Sequence, residues 1–156
     1  MSIVLALFFT TAGRIKRSAW WIGVGALIVF NILLFFVLWT ILGPNLIASL
    51  VGRFVEFCIN AINIYAIYCL SVKRFQDRNR SAMNAKIGAF IWATKAVHDL
   101  FIADLREPDT FLLLFVFAGT GTALWYFIEI GLLEGTSGPN NYGPPPAAVA
   151  SRPRGE

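Results

Sequence analysis

An all-α membrane protein is the fold class this sequence predicts, with four transmembrane helices, a short N-terminal interfacial segment and a C-terminal tail rich in Pro and Gly. Three observations lead there. Of 156 residues, 57% are hydrophobic and only 14% charged, against roughly 25% charged in a soluble domain. Mean hydropathy is +0.66 and 15% of residues are aromatic, more apolar surface than a disordered chain tolerates. The apolar residues also fall into runs of bilayer-crossing length.

Residues 2–10 are apolar but short, with no basic residue before them and no small-x-small cleavage pattern, so they do not read as a removable signal peptide. Two readings fit: a helix along the cytoplasmic interface, with Arg14, Lys16 and Arg17 reaching lipid phosphates, or an ordinary start followed by topogenic charges. Residues 19–42 carry no charge, open with Trp20-Trp21 and close with Gly43-Pro44, the pattern of a spanning helix with an aromatic anchor. Residues 46–72 are long enough to cross, although Arg53, Glu56, Asn60 and Asn63 interrupt them before Lys73-Arg74. Residues 87–105 contain Lys95, His98 and Asp99, and each charge near a helix centre costs about 2.5 to 3.5 kcal/mol on insertion scales. A helix lying on the surface is the alternative for this third run. Residues 110–133 form the fourth, with Trp125 and Tyr126 toward one end and Glu129 as its acid, expected to snorkel or to pair with Lys86 or Lys73.

The domain division follows: 1–18 an N-terminal segment, 19–134 the membrane domain, and 135–156 an extended tail in which Pro144, Pro145 and Pro146 are consecutive. Lysines and arginines orient it. Arg14, Lys16 and Arg17 precede the first span, Lys73, Arg74, Arg78, Arg80 and Lys86 lie between the second and third, and Arg152 and Arg154 follow the fourth. All fall on one face; the other has Arg106 among Asp104, Glu107 and Asp109. The positive-inside rule then makes both termini cytoplasmic. A three-span chain would put the tail outside.

Ionisable groups within a span must face protein or water, because lipid offers them no partner. Arg53, Glu56, Asn60 and Asn63 fall on one helical stripe, and Lys95, His98 and Asp99 on another, with Lys95 and Asp99 spaced to pair along the helix. The two stripes are expected to meet near mid-membrane. The formal charges of Arg53, Glu56, Lys95 and Asp99 cancel, which suits a structural ion network; the competing reading is a proton or ion path with His98 as its titrating member. No metal is expected, since His98 lacks companions at ligand spacing. No cofactor is expected either: Gly119-Thr120-Gly121 sits in an apolar run without the Gly and Lys of a phosphate loop. Cys58 and Cys69, about 16 Å apart along one helix, cannot form a disulfide with each other. The net charge of +4 comes from bases beside apolar runs, and Phe75 alone interleaves the basic loop, so membrane rather than nucleic acid is the expected partner.

Three segments resemble a known family. They are GRIKRSAWW at 13–21, VKRFQDRNRS at 72–81 and GTSGPNNYGPPP at 135–146. In order and spacing they resemble the signatures of the bacterial domain-of-unknown-function family number 805, the YhaH-like inner membrane proteins. Gly13, Arg14, Arg17, Ser18 and Trp21 match its first signature, and Arg74, Asp77, Arg80 and Ser81 its second. Gly135, Thr136, Gly138, Asn140, Tyr142, Gly143 and Pro146 match the third. Gln76 stands where the family has His, which removes a His-Asp pair, and Pro145 stands where it has an acid. The resemblance implies a bacterial inner membrane location and no established activity. It also implies that the motifs gather over the inner helix ends, with Asp77 bridging arginines and Tyr142 packing on Trp20 or Trp21.

The expected function is therefore that of a non-catalytic accessory or scaffold subunit of a larger membrane complex. Its expected partners are the bilayer and its anionic headgroups, with other subunits or further copies of itself. Gly23, Gly25, Gly119 and Gly121 offer flat faces to neighbouring helices. The alternative is a small oligomeric ion, proton or solute transporter using Glu56, Lys95, His98 and Asp99. An enzyme with Asp77 as acid or base is weaker, for want of His and metal ligands.

Overall fold

A computed structural model describes residues 3–102 and 110–146 of the chain. Arg106 and its neighbours Asp104, Glu107 and Asp109 lie outside the described residues, as do Arg152, Arg154 and everything beyond Pro146. The described chain is helical, apart from its turns and an isolated bridge between Asn140 and Gly143.

The elements are α1 (Ile3–Phe9), α2 (Arg17–Ala48), α3 (Leu50–Asp77), α4 (Met83–Ile102) and α5 (Thr110–Tyr126), the last running on into a π-helical turn (Phe127–Leu132). Local chemistry sets their ends. Gly43, at φ +71° and ψ 165°, takes a conformation closed to most side chains, and Pro44 follows without an N–H, so the axis of α2 breaks there. Ser49 caps α3 by accepting from the Gly52 amide at 3.3 Å. At the other end of α3, Asn79 adopts φ +56°, and the Arg80 amide returns to the Phe75 carbonyl at 2.8 Å, closing the helix with a left-handed residue. The Ser81 hydroxyl accepts from the Met83 amide at 3.1 Å and starts α4.

α2, α3, α4 and α5 run alternately up and down. Trp21 at the start of α2 meets Gly131 at the end of α5. Tyr126 donates to the Asn84 and Ala85 carbonyls at the start of α4. His98, near the far end of α4, stacks on Phe111 at the start of α5, with ring centroids 4.2 Å apart. α2, α3 and Thr110–Leu132 are long and apolar enough to cross a membrane, as a multi-pass membrane protein requires. α4 carries more charge, yet lies antiparallel along α3 through a face of small residues that includes the buried Ala85 and Ala96.

Packing is uneven along the bundle. The buried apolar cluster of Trp20, Leu70, Val72, Phe75, Ala85 and Ile130 sits at one end, called here the motif end. Close approach is built in there: a Cβ at Gly23 would lie 2.9 Å from Leu70. Toward the other end the helices expose their apolar sides, as at Phe36 of α2 and Phe117 of α5. α1 packs back on α3: Leu7 and Phe8 meet the cluster, Phe9 contacts Tyr65, and the buried Lys73 amine donates to the Ala6 and Leu7 carbonyls. A cation at the last carbonyls of a short helix satisfies acceptors that have no partner within it.

Candidate functional site

The motif end is built on helix-end carbonyls. A helix leaves its last carbonyls without internal partners, and four consecutive ones from the end of α5 are taken by side chains of two other segments. Arg74 Nε donates to Ile130 O at 2.8 Å, Trp21 Nε1 to Gly131 O at 3.0 Å, Arg17 Nη1 to Leu132 O at 3.2 Å, and Arg74 Nη2 to Leu133 O. The end of α3 is treated likewise by the tail. Asn140 Nδ2 donates to Gln76 O at 2.8 Å, and the Thr136 amide and hydroxyl donate to Asp77 O at 2.9 and 3.0 Å.

Asp77 joins these caps. Its Oδ1 accepts from Arg14 Nε at 3.1 Å and its Oδ2 from Arg74 Nη1; the side chains of both arginines are about 1% exposed and that of Asp77 5%. Arg14 uses its whole donor set. Besides Asp77 it donates to Gly138 O at 2.9 Å and Gly143 O at 3.0 Å through Nη1, and to Thr136 O at 2.7 Å and Thr136 Oγ1 at 3.0 Å through Nη2, five bonds for the five N–H groups of a guanidinium. The tail therefore folds around a buried cation. Gly135 passes so close to Asp77 that a Cβ there would lie 1.8 Å from Oδ2. Gly13, at φ +91°, turns the chain into Arg14, and the Gln76 amide, with its nitrogen toward that turn, donates to Gly13 O at 2.6 Å and Thr11 O at 3.1 Å. At the tail's own turn Gly143 takes φ +113°, and Asn140 Oδ1 accepts from the Tyr142 amide at 2.9 Å.

A shallower shell surrounds this core. Glu129 pairs with Arg78 at 3.1 Å and Arg80 at 3.4 Å, rather than with the Lys86 or Lys73 anticipated from sequence; Lys73 is held by α1 instead. Arg17 meets Glu134 at 3.4 Å on an exposed rim. Lys16, Arg17 and Ser18 line one side of an open cleft of about 630 Å³, and Glu134, Thr136 and Pro146 the other. Ser81 serves as the α4 cap described above. Tyr142 does not pack on the tryptophan rings: Trp20 and Trp21 contact each other edge to face, and Trp21 contacts Phe127.

The family model described as "Protein of unknown function (DUF805)" matches residues 8–144. The chain belongs to this family. That span takes in the first two of the segments meeting at Asp77 and the third as far as Pro144. Comparison with curated proteins and with solved structures gives no match.

The polar groups within the helices divide differently from the expected meeting of two stripes. Asn63 forms a reciprocal amide pair with Asn31 of α2, at 3.0 and 2.8 Å. Glu56 and Asn60 line a cavity of about 190 Å³ between α2 and α3, with Asn31 on its wall. Lys95 and Asp99 pair within α4, His98 Nδ1 lies 3.5 Å from Asp99 Oδ1, and Lys95 stands over the Phe115 ring. Among the described residues no hydrogen bond or ion pair joins Arg53, Glu56, Asn60 or Asn63 to α4. The stripe on α3 turns its amides to α2 because Asn31 offers a matching donor and acceptor in an apolar setting. Asn31 was the missed member; an amide inside an otherwise apolar run was its signal. Among the described residues no group of three or more His, Cys, Asp or Glu side chains could hold a metal ion.

Proposed function

We propose that this protein is a non-catalytic accessory or scaffold subunit of a larger complex in the bacterial inner membrane, with four spans and both termini cytoplasmic. The observation that carries this reading is the apolar flank of α2 and of Thr110–Leu132, in each of which only 6% of the most apolar window is buried. In a bilayer lipid covers such flanks, and in the proposed complex neighbouring helices would replace part of it, while the motif end holds the helices at fixed spacing. Asp77 is buried and paired with Arg14 and Arg74, which speaks against its use as an acid or base. The course of α4 along α3 supports a fourth span, and the placement of Arg14, Arg74, Arg78 and Arg80 at the motif end supports a cytoplasmic face.

Photo-crosslinkers at Phe36 and Phe117, followed by gentle extraction and mass spectrometry, test the proposal. Discrete protein adducts at either position are expected; labelling of lipid alone at both would overturn it. A second reading, an ion or proton carrier, draws support from Glu56 and Asn60 in their cavity between α2 and α3. It requires pH-dependent flux in proteoliposomes that disappears in Glu56→Gln or His98→Ala, and unchanged flux would eliminate it.

A further inference from the structure

We infer that the groove between α3 and α4 is a binding site for one anionic phospholipid. The groove has a volume of about 460 Å³ and is bounded by Phe57, Ala61 and Tyr68 of α3 and by Lys86, Ala93 and Val97 of α4. Tyr68 lies eleven positions after Phe57, and Val97 eleven after Lys86, so it runs about 16 Å at 1.5 Å per residue. That is about half of a ~30 Å hydrocarbon core, the depth of a single leaflet. An acyl chain reaching to the middle of the bilayer has about this length.

The two ends differ chemically. Phe57 and Val97 close the deep end with hydrocarbon, whereas Tyr68 and Lys86 stand at the motif end, where tyrosines and lysines meet headgroups. Lys86 is exposed. Among the described residues its amine has no carboxylate, whereas Arg78 and Arg80 share Glu129, Arg14 and Arg74 share Asp77, and Lys95 has Asp99. A phosphate diester above the groove would supply the missing anion. The alanines leave the groove open because α3 and α4 pack closely beside it. This inference rests on the four-span course proposed above but not on the scaffold role: the lipid site can fail while protein partners are found, and the reverse.

The test is native mass spectrometry of the full chain in mild detergent, titrated with phosphatidylglycerol or with phosphatidylcholine bearing the same acyl chains. The anionic lipid should be retained about fivefold more strongly, the weight of one basic residue near a membrane surface. Lys86→Ala should abolish that preference and Lys86→Arg should keep it. Ala93→Phe, at a residue exposed in the groove, should expel both lipids with helicity unchanged by circular dichroism. Equal retention of the two lipids by the parent chain, a preference that survives Lys86→Ala, or lipid still held by Ala93→Phe would each overturn the proposal. So would loss of a dimer in place of lipid when the groove is filled.

Discussion

Arg14 and Asp77, 63 positions apart in the chain, are joined by a hydrogen bond of 3.1 Å that is buried from both sides. Arg74 reaches the same carboxylate from one turn earlier on α3. One acid thus balances two guanidinium groups, and the second positive charge is spread over the helix-end and tail carbonyls to which Arg14 and Arg74 also donate.

Removing the charge of Asp77 while keeping its shape should be costly. Asp77→Asn leaves two buried cations without an anion, and breaking a buried pair typically costs about 3 to 5 kcal/mol. Unfolding in mixed micelles should show a loss of that order, and a loss below about 1 kcal/mol would mean that the carbonyls alone suffice.

Two glycines of the tail should respond differently to alanine. Gly135→Ala drives a methyl into Asp77, whereas a Cβ at Gly138 meets nothing within 4 Å. Overpacking costs about 1 to 3 kcal/mol, so Gly135→Ala should expose the tail to protease while Gly138→Ala leaves protection unchanged. Equal protection of the two variants would contradict the close approach.

The Asn31–Asn63 pair lends itself to a double-mutant cycle with alanine at each position. Interhelical hydrogen bonds between membrane helices are worth about 0.6 kcal/mol on average and up to about 1.7. The coupling energy should fall in that interval, and strict additivity of the two substitutions would show that the amides do not act together.

The tail's position over α3 can be read by crosslinking. The Asn141 amide donates to Asn79 Oδ1 at 3.3 Å, so cysteines at 79 and 141 should form a disulfide under mild oxidation. A cysteine at 141 paired with one at Phe117, on α5 and far from the motif end, should not. If both pairs crosslink alike, the tail samples more than this one place.

What could be read from the chain alone divides along physical lines. The apolar runs were legible because a helix in lipid must satisfy its own backbone, so length and hydropathy report on it directly. The ends were legible where a local signal exists, as at Gly43-Pro44. The Lys95–Asp99 pair was also legible, being local to one helix. Longer-range assignments were not. That Glu129 meets Arg78 and Arg80, that Lys73 holds α1, and that Asn63 faces Asn31 all depend on how helices dock, and several bases could compete for each acid. Tyr142 was assigned to the tryptophans as what the family resemblance implies, whereas its backbone, held by Asn140, is what the turn uses. Gln76 was read as a loss relative to the family's His, yet its amide keeps a donor aimed at the Gly13 turn.

The donors of Arg14 impose an order on biogenesis. Thr136, Gly138 and Gly143, whose carbonyls receive this arginine, lie 122 to 129 positions after it, and at ribosomal speed that gap is on the order of ten seconds. Until then these donors of Arg14 lack the carbonyls that hold them in the folded protein. A chain ending before Thr136 would leave the donors of Arg14 without these three carbonyls, so the setting of this arginine depends on residues made 122 or more positions after it.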